Sequence, residues 1–477
     1  MNKCKLKNEG CVSNKSAERI QFGILLITAA IVLWVIFESH NLRPIADDYC
    51  FGAMSGEFGL FGGVFLMWNV WSGFVSQNFI TFLLVGMPLA FLPFDIASAI
   101  CFIFTAFGMG AVVLAVNRSI QSPLKLGWDW LVFIAFLWWV FLWATFALGI
   151  QNTNLSTAND YNLSSIVSAL TFWQNVNSAY VVPLQIIFIA LAIGWSFSNQ
   201  RRYPYSSFLI PLVIGAFSGG VAPVQMVSLL LVACMIAACI FFMPKTRDLN
   251  RNFWIILSVA ILVSGLICGL FSPGNAVRSA ILKPNFEFTV ERIAFLLKVT
   301  SKQGIGNWVR GYFNIGSLII LILATGYSFF SLTRNNQERA IKILIVAVSF
   351  SLFALVLSLA TRLSQEFSGI AYWHHTSSLV CVFISIIFFG IWIGIIIKDV
   401  NNFFVGRGMC VFFIFALILG IMANMKMVES IKLRHAAWVK GPASINGVID
   451  TDNPEEFQMG CWRKLNSQRS HPITRSP

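Results

Sequence analysis

Charge is what this sequence has least of. Asp, Glu, Lys and Arg make up only 11% of the 477 residues, against roughly a quarter in soluble domains. So little polar surface excludes an ordinary soluble fold of this size, and a mean hydropathy of +0.75 agrees. Phosphate-cradling and catalytic signatures are absent too. There is no GxxxxGK[ST], no GxGxxG, no HExxH and no GxSxG, which argues against nucleotide-driven transport and a soluble nucleotide-sugar domain. No CxxC occurs among the ten cysteines, so zinc and dithiol chemistry lose support. The net charge of +13 sits on no polar domain. Lys and Arg fall between apolar runs, where they orient a membrane protein and meet headgroups, so nucleic acid is not an expected partner.

What is present is a series of apolar runs near the ~20 residues a helix needs to cross hydrocarbon. About eleven crossings are expected, at 20–38, 95–117, 128–149, 179–198, 206–222, 224–243, 253–271, 312–331, 341–360, 376–397 and 408–426. The expected fold is thus all-α, a polytopic transmembrane helical bundle. The first run, Ile20 to Phe37, is long for a cleavable signal and reads as an anchor. A basic tail, 1–19, stays in the cytoplasm. Alternate connections then place Arg118, Lys125, Arg201, Arg202, Lys245, Arg247, Arg251, Arg334, Arg339, Lys342, Lys398 and Arg407 inside. Segments 39–94 and 272–311 become outer loops, and the tail 427–477 ends outside. Residues 79–92 are apolar but only fourteen long, so they are assigned to the first outer loop as an interfacial or re-entrant stretch.

Charge within the crossings is nearly absent, which disfavours an ion-coupled transporter. The chemistry-bearing segment is Pro44-Ile45-Ala46-Asp47-Asp48-Tyr49-Cys50, just past the first crossing. Adjacent carboxylates beside an apolar surface repel and are partly desolvated, which favours a proton on one of them and makes a candidate base. Oxygen ligands of this kind could also hold a divalent cation, and a plain acidic turn is the simpler alternative. The outer segment 272–311 is unusually basic, with Arg278, Lys283, Arg292, Lys298, Lys302 and Arg310. An anionic ligand explains this, as does a loop long enough to translocate regardless of charge. Within it Pro273-Gly274-Asn275 can make a tight turn whose backbone donors face an anion. Glu291 to Lys302 has the pattern of a helix lying on the membrane. Trp68 and Trp71 share one helix face. They could stack on a sugar or anchor at headgroups, anchoring being commoner. Gln174, Asn175, Asn177 and Tyr180 enter the fourth crossing from outside and could bind sugar hydroxyls or cap the loop. Tyr372-Trp373-His374-His375 lacks the spacing of a helical metal site and reads as interface. Cys50 and Cys461 both fall outside, where a bridge could form in an oxidising compartment. Two unrelated thiols are the simpler expectation.

A first helix, an acidic pair in the first outer loop, surface helices and many further crossings together resemble the GT-C superfamily of polyprenyl-phosphate-sugar-dependent glycosyltransferases. Asp47-Asp48-Tyr49-Cys50 followed by Trp68-Asn69-Val70-Trp71-Ser72-Gly73 is similar to a bacterial group that reads DDYC and then WSGR. Ser272-Pro273-Gly274-Asn275-Ala276-Val277-Arg278 is similar to that group's PGNxxR stretch. Phe74 stands where the group carries Arg.

The resemblance implies a multi-pass protein of the bacterial inner membrane with its site on the outer face. It implies a donor sugar on polyprenyl phosphate and a glycan or lipid acceptor, for example lipopolysaccharide O-antigen. Asp47 or Asp48 would act as general base. Arg278, with Arg43, Lys283 and Asn275, would bind the donor phosphate. Tyr49, Trp68, Trp71, Gln174 and Asn177 would contact sugar or acceptor. No certain cofactor is implied. A flippase or exporter of lipid-linked glycans, or a polymerase using outer arginines, remains the alternative.

Overall fold

The computed structural model describes residues 14–44, 47–120, 123–147, 170–171, 174–198, 205–242, 249–282, 289–332, 337–368, 375–400 and 403–440. Every regular element among them is helical. The first helices are α1 (Asn14–Glu38), α2 (Asp47–Val70), α3 (Val75–Phe91), α4 (Phe94–Ser119), α5 (Asp129–Ala147) and α6 (Gln174–Phe197). Then come α7 (Ser206–Gly219), α8 (Pro223–Phe242), α9 (Leu249–Leu270), α10 (Pro273–Leu282) and α11 (Val290–Tyr312). The chain continues with α12 (Ile315–Ser331), α13 (Gln337–Ser368), α14 (Thr376–Val400) and α15 (Phe403–Lys440). Helices are the expected outcome, because hydrocarbon offers no partner for an open N–H or C=O.

Among the described residues eight helices are long and apolar enough to cross a membrane. The count is nine if α11 and α12, which meet at a 47° bend, form one span. Two differences from the sequence reading stand out. Helix α2, expected in an outer loop, passes the length criterion, but Gly59 breaks it with φ of 67° and ψ of −173°. Only glycine adopts that conformation readily, and neither half then reaches the ~20 residues of a span. Helix α15 does not stop at 426 but runs to Lys440, 38 residues in all. At ~1.5 Å per residue that is about 57 Å, well beyond a ~30 Å hydrocarbon core.

Helix α5 is the axis of the packing. Trp130, Phe133, Phe136, Trp138, Trp139 and Trp143 are all essentially buried, as expected of a helix apolar all round. It is enclosed by α1, α4, α12 and α15. At its start Asp129 accepts hydrogen bonds from Tyr327 Oη at 2.5 Å and Gln21 Nε2 at 3.1 Å, tying α12 and α1 to α5.

Elsewhere small residues set the distance between helices. Between lipid-facing helices apolar burial gives little driving force, so close backbone approach and hydrogen bonds must supply it. Gly215 and Gly219 on α7 face Ala260 and Ser264 on α9, and a Cβ at either glycine would collide with them. Ser264 Oγ also donates to the Gly215 carbonyl at 3.2 Å. After three connecting residues, Pro223 opens α8 at the position where its missing N–H costs nothing.

Gly219→Val should therefore force α7 from α9 and destabilise the protein by about 1–3 kcal/mol, the usual size of overpacking. Thermal unfolding in detergent reads this, with Gly219→Ala falling between the two; an unchanged midpoint would show that the contact is loose.

Candidate active site

The acidic pair forms the first turn of α2, where the helix dipole favours negative charge. The two side chains differ. Asp48 is fully buried, and its Oδ1 accepts a hydrogen bond of 2.8 Å from the Asn175 backbone N–H at the start of α6. Asp47 is only half-buried. Tyr49 is buried with Ala53, Ile80, Leu89, Phe94, Ala97 and Val182, which wedges the start of α2 between α3, α4 and α6. Cys101 on α4 completes the contact, its Sγ lying 3.6 Å from the Gln174 carbonyl.

Two π-turns meet beside this point, one at Phe82–Gly86 and one at Asn177–Val181. Such turns are rare and concentrate at functional sites. Ser178 Oγ donates to Thr81 Oγ1 at 3.1 Å and so joins them. Gln174, Asn177 and Gln225 are all buried. Their amide nitrogens donate to backbone carbonyls, Gln174 to Thr171 at 3.4 Å, Asn177 to Leu170 at 2.5 Å and Gln225 to Tyr180 at 2.6 Å. The three side-chain carbonyl oxygens have no hydrogen-bond partner among the described residues. A buried acceptor left so costs about 1–3 kcal/mol, and hydroxyl donors would remove that cost.

Positive charge reaches the site from the other side. Arg43 is held by the His40 and Leu42 carbonyls, at 2.6 and 2.7 Å. Burial pushes its guanidinium below its ordinary value, while Asp95 and Tyr49 pull it back. The extended end of α15 then adds Lys432, Arg434 and His435. Lys432 pairs at 2.7 Å with Glu38, whose carboxylate is nearly buried. His435 lies within electrostatic reach of Arg43 and His40. Sequence reasoning missed these three because it assigned 427–477 to a tail. The signal was the continued helical spacing of Met427, Val428 and Ile431, all buried.

The second pair of motifs comes together at the other end of α2. Ser272 Oγ donates to the Trp68 carbonyl at 2.8 Å, and Gly73 N–H donates to Asn275 Oδ1 at 3.1 Å. Asn275 Nδ2 donates to the Cys268 and Gly269 carbonyls at 2.8 and 3.0 Å. A Cβ on Gly274 would strike the backbone of Trp68, Trp71 and Ser72. Thus Pro273-Gly274-Asn275, expected as an anion-binding turn, opens α10 and clamps α2, and the Asn275 amide is spent on protein partners. Trp68 and Trp71 belong to this clamp rather than to the Asp48 contact. The Arg278 side chain and Lys283 lie outside the described residues, as do Tyr372, Trp373 and His374. His375 is buried, with Asn307 Nδ2 at 3.4 Å from its Nε2.

Among the described residues no three His, Cys, Asp or Glu side chains converge as metal ligands. Cys50 is disulfide-bonded, not the lone thiol expected, and its partner lies outside the described residues. Six other cysteines are free. Replacing Cys50 by Ser should release its partner, so denatured, unreduced protein gains one maleimide-reactive thiol; a loss of one would mean that Cys50 is unbridged.

No protein-family model matches this chain, and no curated protein or solved structure is similar to it.

Proposed function

We propose that the protein is a GT-C-type glycosyltransferase of the bacterial inner membrane. It moves a sugar from a polyprenyl-phosphate carrier to a glycan or lipid acceptor, such as O-antigen, on the outer face. One observation carries this reading: a half-buried Asp47 beside a fully buried Asp48 that is hydrogen-bonded at Asn175, next to the amide side chains of Gln174 and Asn177, with Arg43 in electrostatic reach of Tyr49.

The alternation of helix ends between the two sides draws support from contacts at those ends. On the side assigned to the cytoplasm, Gln21, Asp129 and Tyr327 meet, and Lys398 donates to the Leu332 carbonyl. On the side assigned to the exterior, Asp48 meets Asn175, Gln77 N–H meets the Gly220 carbonyl, Gly73 meets Asn275 and Glu38 meets Lys432. No pair in this set joins an inner end to an outer one.

In this reading Asp47 is the base and Asp48 its positioning residue. The acceptor hydroxyl gives its proton to Asp47 while its oxygen bonds to the anomeric carbon. The bond from that carbon to the phosphate oxygen breaks, and polyprenyl phosphate leaves with the electron pair. Charge developing on the phosphate needs fixed cations. Phe74 is buried and supplies none, so Arg43 takes this part, with His435 in its electrostatic reach. Gln174 and Asn177 accept from sugar hydroxyls.

Asp47→Asn should lower sugar transfer by about 10²–10⁴-fold, the usual contribution of a general base, with membrane insertion unchanged. Asp48→Asn keeps an acceptor for the Asn175 N–H and should lose much less. Arg43→Ala should lose about 10²–10³-fold, as for one removed charge-stabilising donor. The readout is surface-glycan structure in cells and transfer from a polyprenyl-phosphate sugar in vesicles. Full activity of Asp47→Asn would end the proposal, and an unchanged glycan on gene deletion would leave the flippase and polymerase readings.

A further inference from the structure

A groove of about 1040 Å³ runs between α4 and α6, and neither aspartate of the acidic pair lines it. Its walls are apolar, with Ile103, Phe107 and Ala111 from α4 and Ile189 and Ile193 from α6. Along α4 it extends from Ile100 to Arg118, which at ~1.5 Å per residue is about 27 Å, close to the ~30 Å hydrocarbon core. Polarity is confined to a few points. Gln185 lines the middle, its Nε2 donating to the Thr105 carbonyl at 2.7 Å. Among the described residues, Arg118 is the one charged residue lining the groove.

The Arg118 end is built for a headgroup. Arg118 is exposed, and no hydrogen bond or ion pair engages it among the described residues. Trp128 lines the same end and is 73% exposed, the placing of an interface anchor. The loop that carries Trp128 is fixed, because Asn117 Nδ2 donates to the Leu124 carbonyl at 2.9 Å and Asn117 Oδ1 accepts from Leu124 N–H at 3.2 Å. Lys125 on that loop is exposed and adds a second positive charge. The nearby carboxylate, Asp129, is already engaged by Tyr327 and Gln21.

We propose that this groove binds one anionic glycerophospholipid, its phosphate on Arg118 and an acyl chain along α4 and α6. Arg118, with Lys125 on the neighbouring loop, sits where a phosphate would lie at the headgroup plane, and the long apolar trough beside it matches an extended chain. No charged side chain lines the Ile100 end, so the groove has one anchoring end. The site is independent of the transferase reading, since it shares no residue with the acidic pair or the Arg43 cluster.

Native mass spectrometry of the full-length protein, titrated with phosphatidylglycerol or phosphatidylcholine of the same acyl chains, tests this. Wild type should bind one phosphatidylglycerol about fivefold more tightly, as expected from roughly 1 kcal/mol per basic residue. Arg118→Gln should remove the preference, and Ala111→Phe, which fills the trough, should remove binding of both lipids. Arg118 is exposed, so its variant folds and decides the matter even if Ala111→Phe does not. Equal binding of the two lipids by wild type, or a preference that survives Arg118→Gln, overturns the proposal. So does a co-purified polyprenyl phosphate that excludes phosphatidylglycerol and is retained by Arg118→Gln, because it would enter from the Ile100 end.

Discussion

A helix in hydrocarbon gains little by burying Leu against Leu, because lipid tails solvate both equally well. That constraint organises this protein. Its helices are held where backbones approach closely, as at Gly215 and Gly219 against Ala260 and Ser264. Elsewhere a polar group crosses between helices, as in the Gln225 contact to Ser377 at 2.8 Å or the Ser385 contact to the Ala347 carbonyl at 2.7 Å. Aromatic bulk is concentrated on α5, the helix most removed from lipid, where rings such as Phe133 and Tyr327 stack with centroids 4.0 Å apart.

The same constraint explains why the candidate site is recognisable. A buried polar atom without a partner has no water to fall back on. Gln174, Asn177 and Gln225 each commit their nitrogen to a backbone carbonyl, which fixes the direction of the opposite oxygen. Three acceptors are held in this way, near two π-turns and a pinned aspartate.

The amino-acid sequence made the helical class legible because eleven apolar runs and the scarcity of charge are properties of composition. Asp47 and Asp48 were legible as a pair. Their separate roles were not, because these depend on Asn175, 127 residues later, whose backbone N–H selects Asp48. The break in α2 was equally hidden, since Gly59 is one glycine among several in that segment and only its φ distinguishes it. The end of α15 escaped for a different reason. Beyond Asn424 the run turns amphipathic, with Lys426, Glu429 and Lys432 exposed around buried Met427, Val428 and Ile431. A hydropathy average ends there although the helix does not.

That extension adds side chains which the sequence reading left in a tail. Phe74, in the place of an arginine, is buried, and Asn275 is consumed by the clamp on α2. Helix α15 returns Lys432, Arg434 and His435 to the outer end of α1, and Glu38 takes up Lys432 at 2.7 Å. His435 lies within electrostatic reach of Arg43 and His40. The end of α15 and the segment after α1 thus meet, and the acidic pair opens α2 four residues after Arg43. Elements at opposite ends of the sequence, α1 and α15, are held together in space by the Glu38–Lys432 pair.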